Sequence, residues 1–385
     1  MNFFSKLLSF KSKFEIPFET LNNIYISKDA ILNNYDLFYD LNPGCKIFPV
    51  LKANAYGHGI KEIAKILNAR KIDYLVVDSY YEALKIKEVS ETPILLIGYT
   101  MPINFKAMDF SGISLVLSDI NSLKELVKLN KKIKIHLKVD TGMNRQGLYI
   151  EQIPNFLKEL KKSNKILLEG ICSHLSDADN IDNHYSDMQE NKFQEVISII
   201  EKQGFNLKYK HLAASAGGAK RYGNNSCNAI RLGISLYGVN PLQTKDPGYK
   251  RLKELKLALK FESTVIIKKF LKKGEFVGYN CTFKALKDTN IGIVPVGYYE
   301  GISRKLSSNF CYTYKGQKFP IIGRVCMNLT IIDLGKSNIK VFDKIDIISD
   351  DSKSCNSIYK MAEKSETIPY ESLTKLAESI RRIIV

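Results

Sequence analysis

Between residues 45 and 238 the chain repeats one unit, a short apolar segment followed by a stretch with helical spacing. In SLKELVKLNKK and PNFLKELKKS, for example, leucines recur every three or four residues, which is typical of an amphipathic helix. Strands that alternate with helices predict a parallel β/α architecture. We place the strands at 45–53, 73–79, 93–98, 113–119, 133–140, 166–174, 209–215 and 229–233.

Eight such units predict an α/β fold, a closed (β/α)8 TIM barrel. An open doubly wound sheet is the alternative, but no G-x-G-x-x-G motif follows the first strand. After about residue 250 the alternation stops and β-rich runs such as IGIVPVGYY appear, with a short helix predicted around SIYKMAEKS. We therefore predict an N-terminal extension at 1–20, the barrel at 21–250 and a smaller, mostly β domain at 251–385.

Charge and cysteine usage argue against several classes of function. The net charge is +17, but lysines alternate with glutamates along the chain, so a nucleic-acid partner is not expected. No apolar run approaches the ~20 residues needed to cross a bilayer, and no membrane partner is expected. The seven cysteines are scattered without a CxxC pair, which argues against a disulfide framework or a metal site and fits a reducing cytoplasm.

Polar residues cluster where the predicted strands end. TIM barrels place active sites at the C-terminal ends of their strands, often with a phosphate after strands seven and eight. The residues that fall on this rim are Lys52, Lys138, Arg145, His174, Ser215 and Arg231. Singly, each has an ordinary explanation as a solvated or hydrogen-bonded residue, but together they predict a site. Two glycines shortly after Lys52 allow close approach of the backbone to a ligand.

The segment VLKANAYGHG at 50–59 resembles the alanine racemases, barrel-type pyridoxal-phosphate enzymes whose cofactor lysine lies in this motif. The resemblance continues in chain order over almost the whole sequence. It includes HLKVDTGMNRQG at 136–147, GICSH at 170–174, HLAASA at 211–216, IRLGISLYG at 230–238, VGYN at 277–280, GYYEG at 297–301, GRVCMN at 323–328 and ETIPYE at 366–371.

The resemblance implies two proton carriers. Lys52 would hold pyridoxal 5'-phosphate as a Schiff base and, once displaced by alanine, exchange a proton on one face of Cα. Tyr279 would serve the opposite face. In the family this tyrosine is bonded to the histidine matched here by His174, which meets the arginine matched by Arg231. Arg231 only donates hydrogen bonds, so it would keep the pyridine nitrogen unprotonated.

The resemblance also implies the remaining contacts. Phosphate binding falls to Ser215, to the amides near Gly233 and Ile234, and to Tyr56 and Tyr370. The substrate carboxylate falls to Arg145 and the amide of Met327, and the entrance corridor to Tyr298, Arg304 and Arg324. The lysine matched by Lys138 is carbamylated in many relatives, and unmodified it would repel Arg145.

The family's sites form across a head-to-tail homodimer, and the implied function is a cytoplasmic enzyme that supplies D-alanine for peptidoglycan. Three positions depart from the usual pattern, namely Asn328 for an acidic residue, Ala214 for asparagine, and GYYEG for GYADG. A serine or broad-specificity racemase stays open, since a small pocket rejects one hydroxyl poorly. A barrel-type decarboxylase and a cofactor-carrying protein without turnover are further alternatives.

Overall fold

The structure, a computed structural model, describes residues 19–222 and 227–385. The predicted N-terminal extension therefore lies almost entirely outside the described residues. The first strand, β1, spans Asn23–Ile26. It is followed by eight parallel strands within the described ranges: β2 (Lys46–Pro49), β3 (Leu75–Val77), β4 (Ile94–Leu96), β5 (Ile113–Leu117), β6 (Ile133–Lys138), β7 (Ile166–Cys172), β8 (Tyr209–His211) and β9 (Ala229–Leu232).

These eight strands close into a barrel. Strands β3 to β8 form one parallel sheet in chain order, and β2 pairs in parallel with β9. A bridge between Val50 and Val76 joins β2 to β3, and the Arg231 amide donates to the Ala213 carbonyl beside β8, at 3.1 Å. The predicted α/β barrel is confirmed, and each predicted strand position contains a strand.

Helices and 3-10 turns fill the crossovers. The α-helices are α1 (Lys28–Leu41), α2 (Ile60–Leu67), α3 (Tyr80–Lys87), α4 (Ile120–Lys128), α5 (Ile153–Leu160), α6 (His184–Lys202), α7 (Ser215–Lys220), α8 (Ile358–Lys364) and α9 (Pro369–Thr374). The 3-10 helices are Pro102–Ala107, Ile150–Gln152, Ile234–Tyr237, Tyr249–Leu252, Tyr279–Cys281 and Arg304–Leu306. No helix in the described part of the chain is long and apolar enough to cross a membrane.

The barrel strands are apolar runs because both of their faces are covered. Every residue of β3, β4, β5 and β9 is buried. Inside the barrel, Phe48, Val50, Val76, Leu95 and Val116 belong to one cluster. The opposite faces of the strands pack on helices such as α4 and α5, whose leucines are buried.

The C-terminal region is mostly β, as predicted. Its strands are β10 (Leu259–Thr264), β11 (Ile267–Leu271), β12 (Phe276–Val277), β13 (Phe283–Lys284), β14 (Thr289–Val294), β15 (Cys311–Tyr314), β16 (Gln317–Pro320), β17 (Thr330–Gly335), β18 (Lys344–Ile348) and β19 (Arg381–Ile384). The larger sheet has the order β16-β15-β18-β10-β1-β19, and a smaller one the order β11-β14-β17.

Strand β1 is a finding that the sequence did not predict. It pairs antiparallel with β10 and parallel with β19, so it belongs to the C-terminal sheet although it precedes the barrel. The division near residue 250 stays a prediction. The range assigned to the barrel, 21–250, nonetheless includes this strand of the neighbouring sheet, because α1 carries the chain from that sheet to β2.

One pair among the scattered cysteines is adjacent. The Sγ atoms of Cys311 and Cys355 lie 2.7 Å apart. Burial and the neighbouring thiol raise the pKa of Cys311 to about 12, so this sulfur carries its proton at neutral pH. The described residues contain no group of three His, Cys, Asp or Glu side chains that could hold a metal ion.

A left-handed turn at Lys52–Tyr56 follows β2. Ala53, Asn54, Ala55 and Tyr56 all have φ between 52° and 53°, a region that costs L-residues about 1–2 kcal/mol each. Hydrogen bonds hold the turn: the Ala53 amide donates to Glu82 Oε1 at 2.7 Å, and Asn54 Oδ1 accepts from the Ile60 amide at 2.9 Å. The strain is therefore stored directly beside Lys52.

Gly57 ends the turn at φ +81°, and a Cβ placed there would lie 2.1 Å from the Leu373 carbonyl oxygen of α9. Gly44 has nearly the same φ, +84°, but a Cβ there meets nothing within 4 Å. We expect Gly44→Ala to lower the free energy of unfolding by about 1–2 kcal/mol and Gly57→Ala by about 4 kcal/mol or more. Urea unfolding measures both, and equal losses would show that the contact with α9 is not required.

Candidate active site

A cavity of about 460 Å³ opens at the C-terminal ends of the barrel strands. The predicted site residues that line it are Lys52, Tyr56, Lys138, Arg145, His174, Arg231 and Gly233. A larger hollow of about 890 Å³ lies on the β domain among lysines such as Lys315 and Lys336. We assign the site to the smaller cavity because an amine, a guanidinium pair and an imidazole converge there.

Lys52 lies three residues beyond the end of β2, not on the strand as predicted. Its Nζ is 3.7 Å from Asp78 Oδ1, and both side chains are more than one third exposed, so the ion pair is weak. The amine therefore remains accessible to a ligand in the cavity. Asp78, which also lines the cavity, was not identified from the sequence, although it directly follows the predicted strand core LVV.

One corner of the cavity gathers hydroxyl and amide groups. Ser215 Oγ, at the start of α7, accepts hydrogen bonds from the amides of Gly233 at 3.1 Å and Ser235 at 3.2 Å. A Cβ on Gly233 would come within 2.9 Å of the Tyr56 hydroxyl. Burial raises the pKa of Tyr56 to about 12, so its phenol acts as a donor. Glycine therefore leaves space beside several donors, which suits a phosphate group.

Ser215 does not itself line the cavity, and two further predicted residues adjoin this corner without lining it. The Tyr370 ring on α9 lies 6.2 Å from the Tyr56 ring, centroid to centroid. Ile234 follows Gly233 and begins a 3-10 helix. Ala214, one of the departures from the family pattern, lines the cavity directly before Ser215.

Arg231 on β9 is 5% exposed and donates in several directions. Nη1 contacts the Nδ1 and the carbonyl oxygen of His211, both at 2.7 Å. Nη2 lies 3.2 Å from His174 Nδ1, so the predicted meeting of these two residues is present in the structure. Burial and the charges of Arg231 and Lys138 lower the pKa of His174 well below its ordinary value, so the ring is neutral. The sequence could have pointed to His211, which opens the HLAASA motif.

The loop after β6 positions Arg145. The Asp140 carboxylate accepts hydrogen bonds from the amides of Gly142, Asn144 and Arg145, at 2.9, 3.0 and 3.0 Å. The Arg145 side chain then reaches the cavity wall near Lys138. Burial and the positive charges of Arg231 and Arg145 lower the pKa of Lys138 to about 8, because the site disfavours another cation.

The predicted residues of the β domain lie apart from this cavity. Tyr279, Tyr298 and Met327 are 67%, 46% and 56% exposed, and none lines it. Tyr298 and Met327 belong to two joined loops, since the Tyr298 amide donates to Cys326 and the Tyr299 amide to Met327, at 3.0 and 2.9 Å. Arg324, predicted for the corridor, has a buried Nε with no partner in the described chain.

Asn328 and Glu300, at two positions that depart from the family pattern, contact each other. Asn328 Nδ2 donates to Glu300 Oε1 at 2.8 Å, while Glu300 Oε2 accepts from the Gly297 amide at 2.7 Å. Glu300 is 7% exposed and Asn328 is exposed, so an acidic residue at 328 would place a second carboxylate against a buried one. The amide at 328 therefore suits the glutamate in GYYEG.

Family models extend over nearly all of this architecture. Residues 26–241 match the alanine racemase N-terminal domain, and residues 258–384 match the alanine racemase C-terminal domain. This chain belongs to the alanine racemase family. The resemblance carried by the sequence motifs is thereby confirmed.

Individual relatives agree with this assignment. The alanine racemase of Leptospira interrogans is 36% identical over 373 residues, covering 94% of this chain and 95% of the relative. The Bacillus anthracis alanine racemase with bound L-Ala-P superimposes with a TM-score of 0.88 at 30% identity, covering 96% of each chain. The Bartonella henselae alanine racemase with covalently bound pyridoxal phosphate has a TM-score of 0.83 at 26% identity, covering 95% and 100%.

Because the pKa of Lys138 is lowered, we expect its amine to react with carbon dioxide. The unprotonated amine would add CO2 and release one proton to form a carbamate, so occupancy should rise from about pH 6 to about pH 9 as the amine deprotonates. Carbon-13 NMR with labelled bicarbonate measures the carbamate signal. Lys138→Arg should abolish it, whereas Lys132→Arg, at an exposed position, should not. A signal that survives in Lys138→Arg would place the carbamate elsewhere.

The Asn328 and Glu300 pair can be tested by exchanging its chemistry. We expect Asn328→Asp to lower the free energy of unfolding at about pH 8 by about 1–3 kcal/mol, because two carboxylates then meet. Adding Glu300→Gln should restore it, since the glutamine amide can donate to the new carboxylate at position 328 and its oxygen can accept from Gly297. Denaturant unfolding of both variants checks this, and failure of the second change to rescue the first would refute the pairing.

Proposed function

We propose that this protein is an alanine racemase that interconverts L-alanine and D-alanine with pyridoxal 5'-phosphate in the barrel cavity. Family membership over both domains supports this, as do the ligands of the Bacillus anthracis and Bartonella henselae relatives. The observation that carries the proposal is the cavity itself. It combines an accessible Lys52 amine, a buried Arg231 and Gly233, whose amide is bonded to the Ser215 hydroxyl just behind the cavity wall.

The residues present fit the cofactor. Lys52 would hold its aldehyde carbon, and Ser215, the amides of Gly233 and Ile234, Tyr56 and Tyr370 would hold its phosphate. Arg231 would face the ring nitrogen as a hydrogen-bond donor. When bound, pyridoxal phosphate withdraws electrons from the substrate Cα and so makes its hydrogen acidic.

Two residues of the protein would then move the proton. Lys52 Nζ would remove or return it on one face of Cα, and the Tyr279 hydroxyl would act on the opposite face. Neutral His174 would orient Tyr279, and Arg231 would orient His174 through the 3.2 Å contact. A carrier on each face allows inversion without rotation of the substrate.

Substrate recognition would combine residues of both domains. The Arg145 guanidinium and the Met327 amide would bind the carboxylate, and Tyr298 would narrow the entrance. Arg304 and Arg324 would line the same corridor. A serine or broad-specificity racemase is the second candidate, and comparing rates with alanine, serine and lysine would separate the two.

We further infer a head-to-tail homodimer with shared sites. The cavity is lined by residues between 50 and 233, whereas Tyr279, Tyr298 and Met327 lie exposed on the β domain. A partner subunit's β domain over each cavity would complete the site and cover these side chains. We place the enzyme in the cytoplasm, where its D-alanine would supply peptidoglycan synthesis.

Tyr279→Phe tests the two-carrier assignment. Because phenylalanine keeps the ring but cannot exchange a proton, we expect racemisation of L-alanine to fall by about a thousandfold or more while cofactor absorbance is retained. Optical rotation follows the reaction. Tyr299→Phe, at an exposed tyrosine of the same domain without an assigned proton role, is the control and should stay near wild type. Full activity of Tyr279→Phe would overturn the assignment.

Mixing two inactive variants tests the shared site. After subunit exchange between Lys52→Ala and Tyr279→Phe, half of the dimers are mixed and hold one intact site. About one quarter of wild-type activity should therefore return. Recovery would show that Lys52 and Tyr279 of one site come from different chains, and no recovery despite mixed dimers would place both residues of a site in one chain.

A further inference from the structure

A column of four polar residues runs through the barrel interior from the candidate site. Arg231 Nη1 lies 2.7 Å from His211 Nδ1, and His211 Nε2 lies 2.7 Å from His136 Nδ1. His136 Nε2 points to Glu169 Oε2 at 3.6 Å, longer than an ordinary hydrogen bond. We call Arg231, His211, His136 and Glu169 the interior column.

The column is tightly packed. His136 and His211 are fully buried, and Glu169 is 4% exposed. A Cβ on Gly170 would come within 2.7 Å of His136 Nδ1, so glycine there leaves just enough space for the ring. The imidazoles therefore have little freedom to change their positions.

Aromatic rings surround the two imidazoles. The Phe48 centroid lies 5.7 Å from that of His211, and the centroids of Tyr74 and Tyr209 lie 5.6 and 5.8 Å from that of His136. Because the ring faces offer few hydrogen-bonding atoms, the polar atoms of the column depend on one another for partners.

The direction of every hydrogen bond in the column follows from Arg231. A guanidinium only donates, so His211 Nδ1 accepts and the ring proton of His211 lies on Nε2. That proton is donated to His136 Nδ1, so the His136 proton also lies on Nε2 and points at Glu169. Burial lowers the pKa of both histidines, which leaves each ring neutral and in a single tautomer.

Glu169 supplies the negative charge at the far end. Burial alone would raise the pKa of its carboxyl, but the nearby His136 imidazole and hydrogen bonds from Tyr74 and Lys134 outweigh burial and lower it to about 2. Lys134 Nζ lies 3.0 Å from Glu169 Oε1, and Lys208 Nζ lies 3.9 Å from the same oxygen. Arg231 has no carboxylate within ion-pair distance in the described part of the chain. The Glu169 carboxylate therefore acts on Arg231 through the two imidazole rings between them.

We propose that Glu169 is a positioning residue for Arg231. Its carboxylate orients His136 and His211 so that the Nδ1 lone pair of each ring points towards the Arg231 end of the column. This orientation holds the guanidinium at the wall of the cavity. The inference rests on the proposed function for one point, namely that Arg231 faces the cofactor ring. The arrangement of protons in the column is a property of this chain by itself.

Glu169→Gln reverses the column while keeping its shape. Lys134 favours the glutamine oxygen on its own side, which turns the glutamine NH2 towards His136 Nε2. We expect His136 then to accept there and to carry its proton on Nδ1. If His211 follows, its own Nδ1 proton faces the Arg231 donor and the hydrogen bond between them is lost. Lys134→Met is the matched control, because it removes a partner of the same carboxylate but leaves every donor in the column in place.

Nitrogen-15 NMR of the imidazoles reads the tautomers directly, and the chain has only five histidines to assign. In the wild-type protein, with and without cofactor, we expect neutral Nε2–H rings for His136 and His211. Glu169→Gln should move the His136 proton to Nδ1, and Lys134→Met should not. A charged ring or an Nδ1–H tautomer at His136 or His211 in the wild type would overturn the proposal. This measurement uses the wild-type protein alone and does not depend on whether a variant folds.

Kinetics then test the effect on the site. We expect Glu169→Gln to lower kcat about tenfold or more with unchanged cofactor content, and Lys134→Met to stay within about twofold of wild type. Unchanged kcat in Glu169→Gln beside an active wild type would refute the positioning role. If the wild type does not racemise alanine, the proposed function fails, and the tautomers alone decide whether Glu169 orients Arg231.

Discussion

The pairing of the first and last barrel strands is the constraint on which the site depends. The Val50 amide donates to the Leu232 carbonyl at 2.8 Å, and Phe48 lies opposite Arg231 in the register. This register places the Lys52 turn beside Gly233 and Ser215, which come from the other end of the barrel sequence. A shift by one residue would turn Arg231 out of the barrel interior, because side chains alternate between the two faces of a strand.

The strained turn after β2 adds a second constraint. Four consecutive left-handed residues are unfavourable, and they persist because Glu82, Ile60 and the close approach of α9 at Gly57 over-determine them. The same turn aims Lys52 into the cavity and places Tyr56 against Gly233. The turn at 52–56 therefore both carries the backbone strain and positions the side chains that face the cavity.

The sequence predicted the eight barrel strands because buried parallel strands are apolar runs with recognisable helical connections. The predicted strand ends extend too far along the chain. Lys52 is predicted to lie on a strand because nothing in Ala53 to Tyr56 marks a left-handed turn. Strand β1 is not predicted, because four residues carry little periodicity and its partner strands are more than two hundred residues away.

Sequence motifs predicted which residues surround the cavity, but they did not reveal which hydrogen bonds hold those residues in place. Asn328 is visible in the sequence as a departure from the family pattern, but its hydrogen bond to Glu300 is not. Which polar side chains meet inside a barrel depends on the stagger between strands, and that stagger is not visible in one strand at a time.

Strand β1 has a consequence for how the molecule assembles. Because β1 lies between β10 and β19, the larger sheet of the C-terminal region contains segments from residues 23–26 and 381–384 side by side. During synthesis β1 must wait for β10 until the whole barrel has been made, and its other edge stays open until residues 381–384 have left the ribosome. The barrel can close earlier, so the two halves of the molecule are expected to mature in the order barrel first, sheet last, with β19 as the final closing strand.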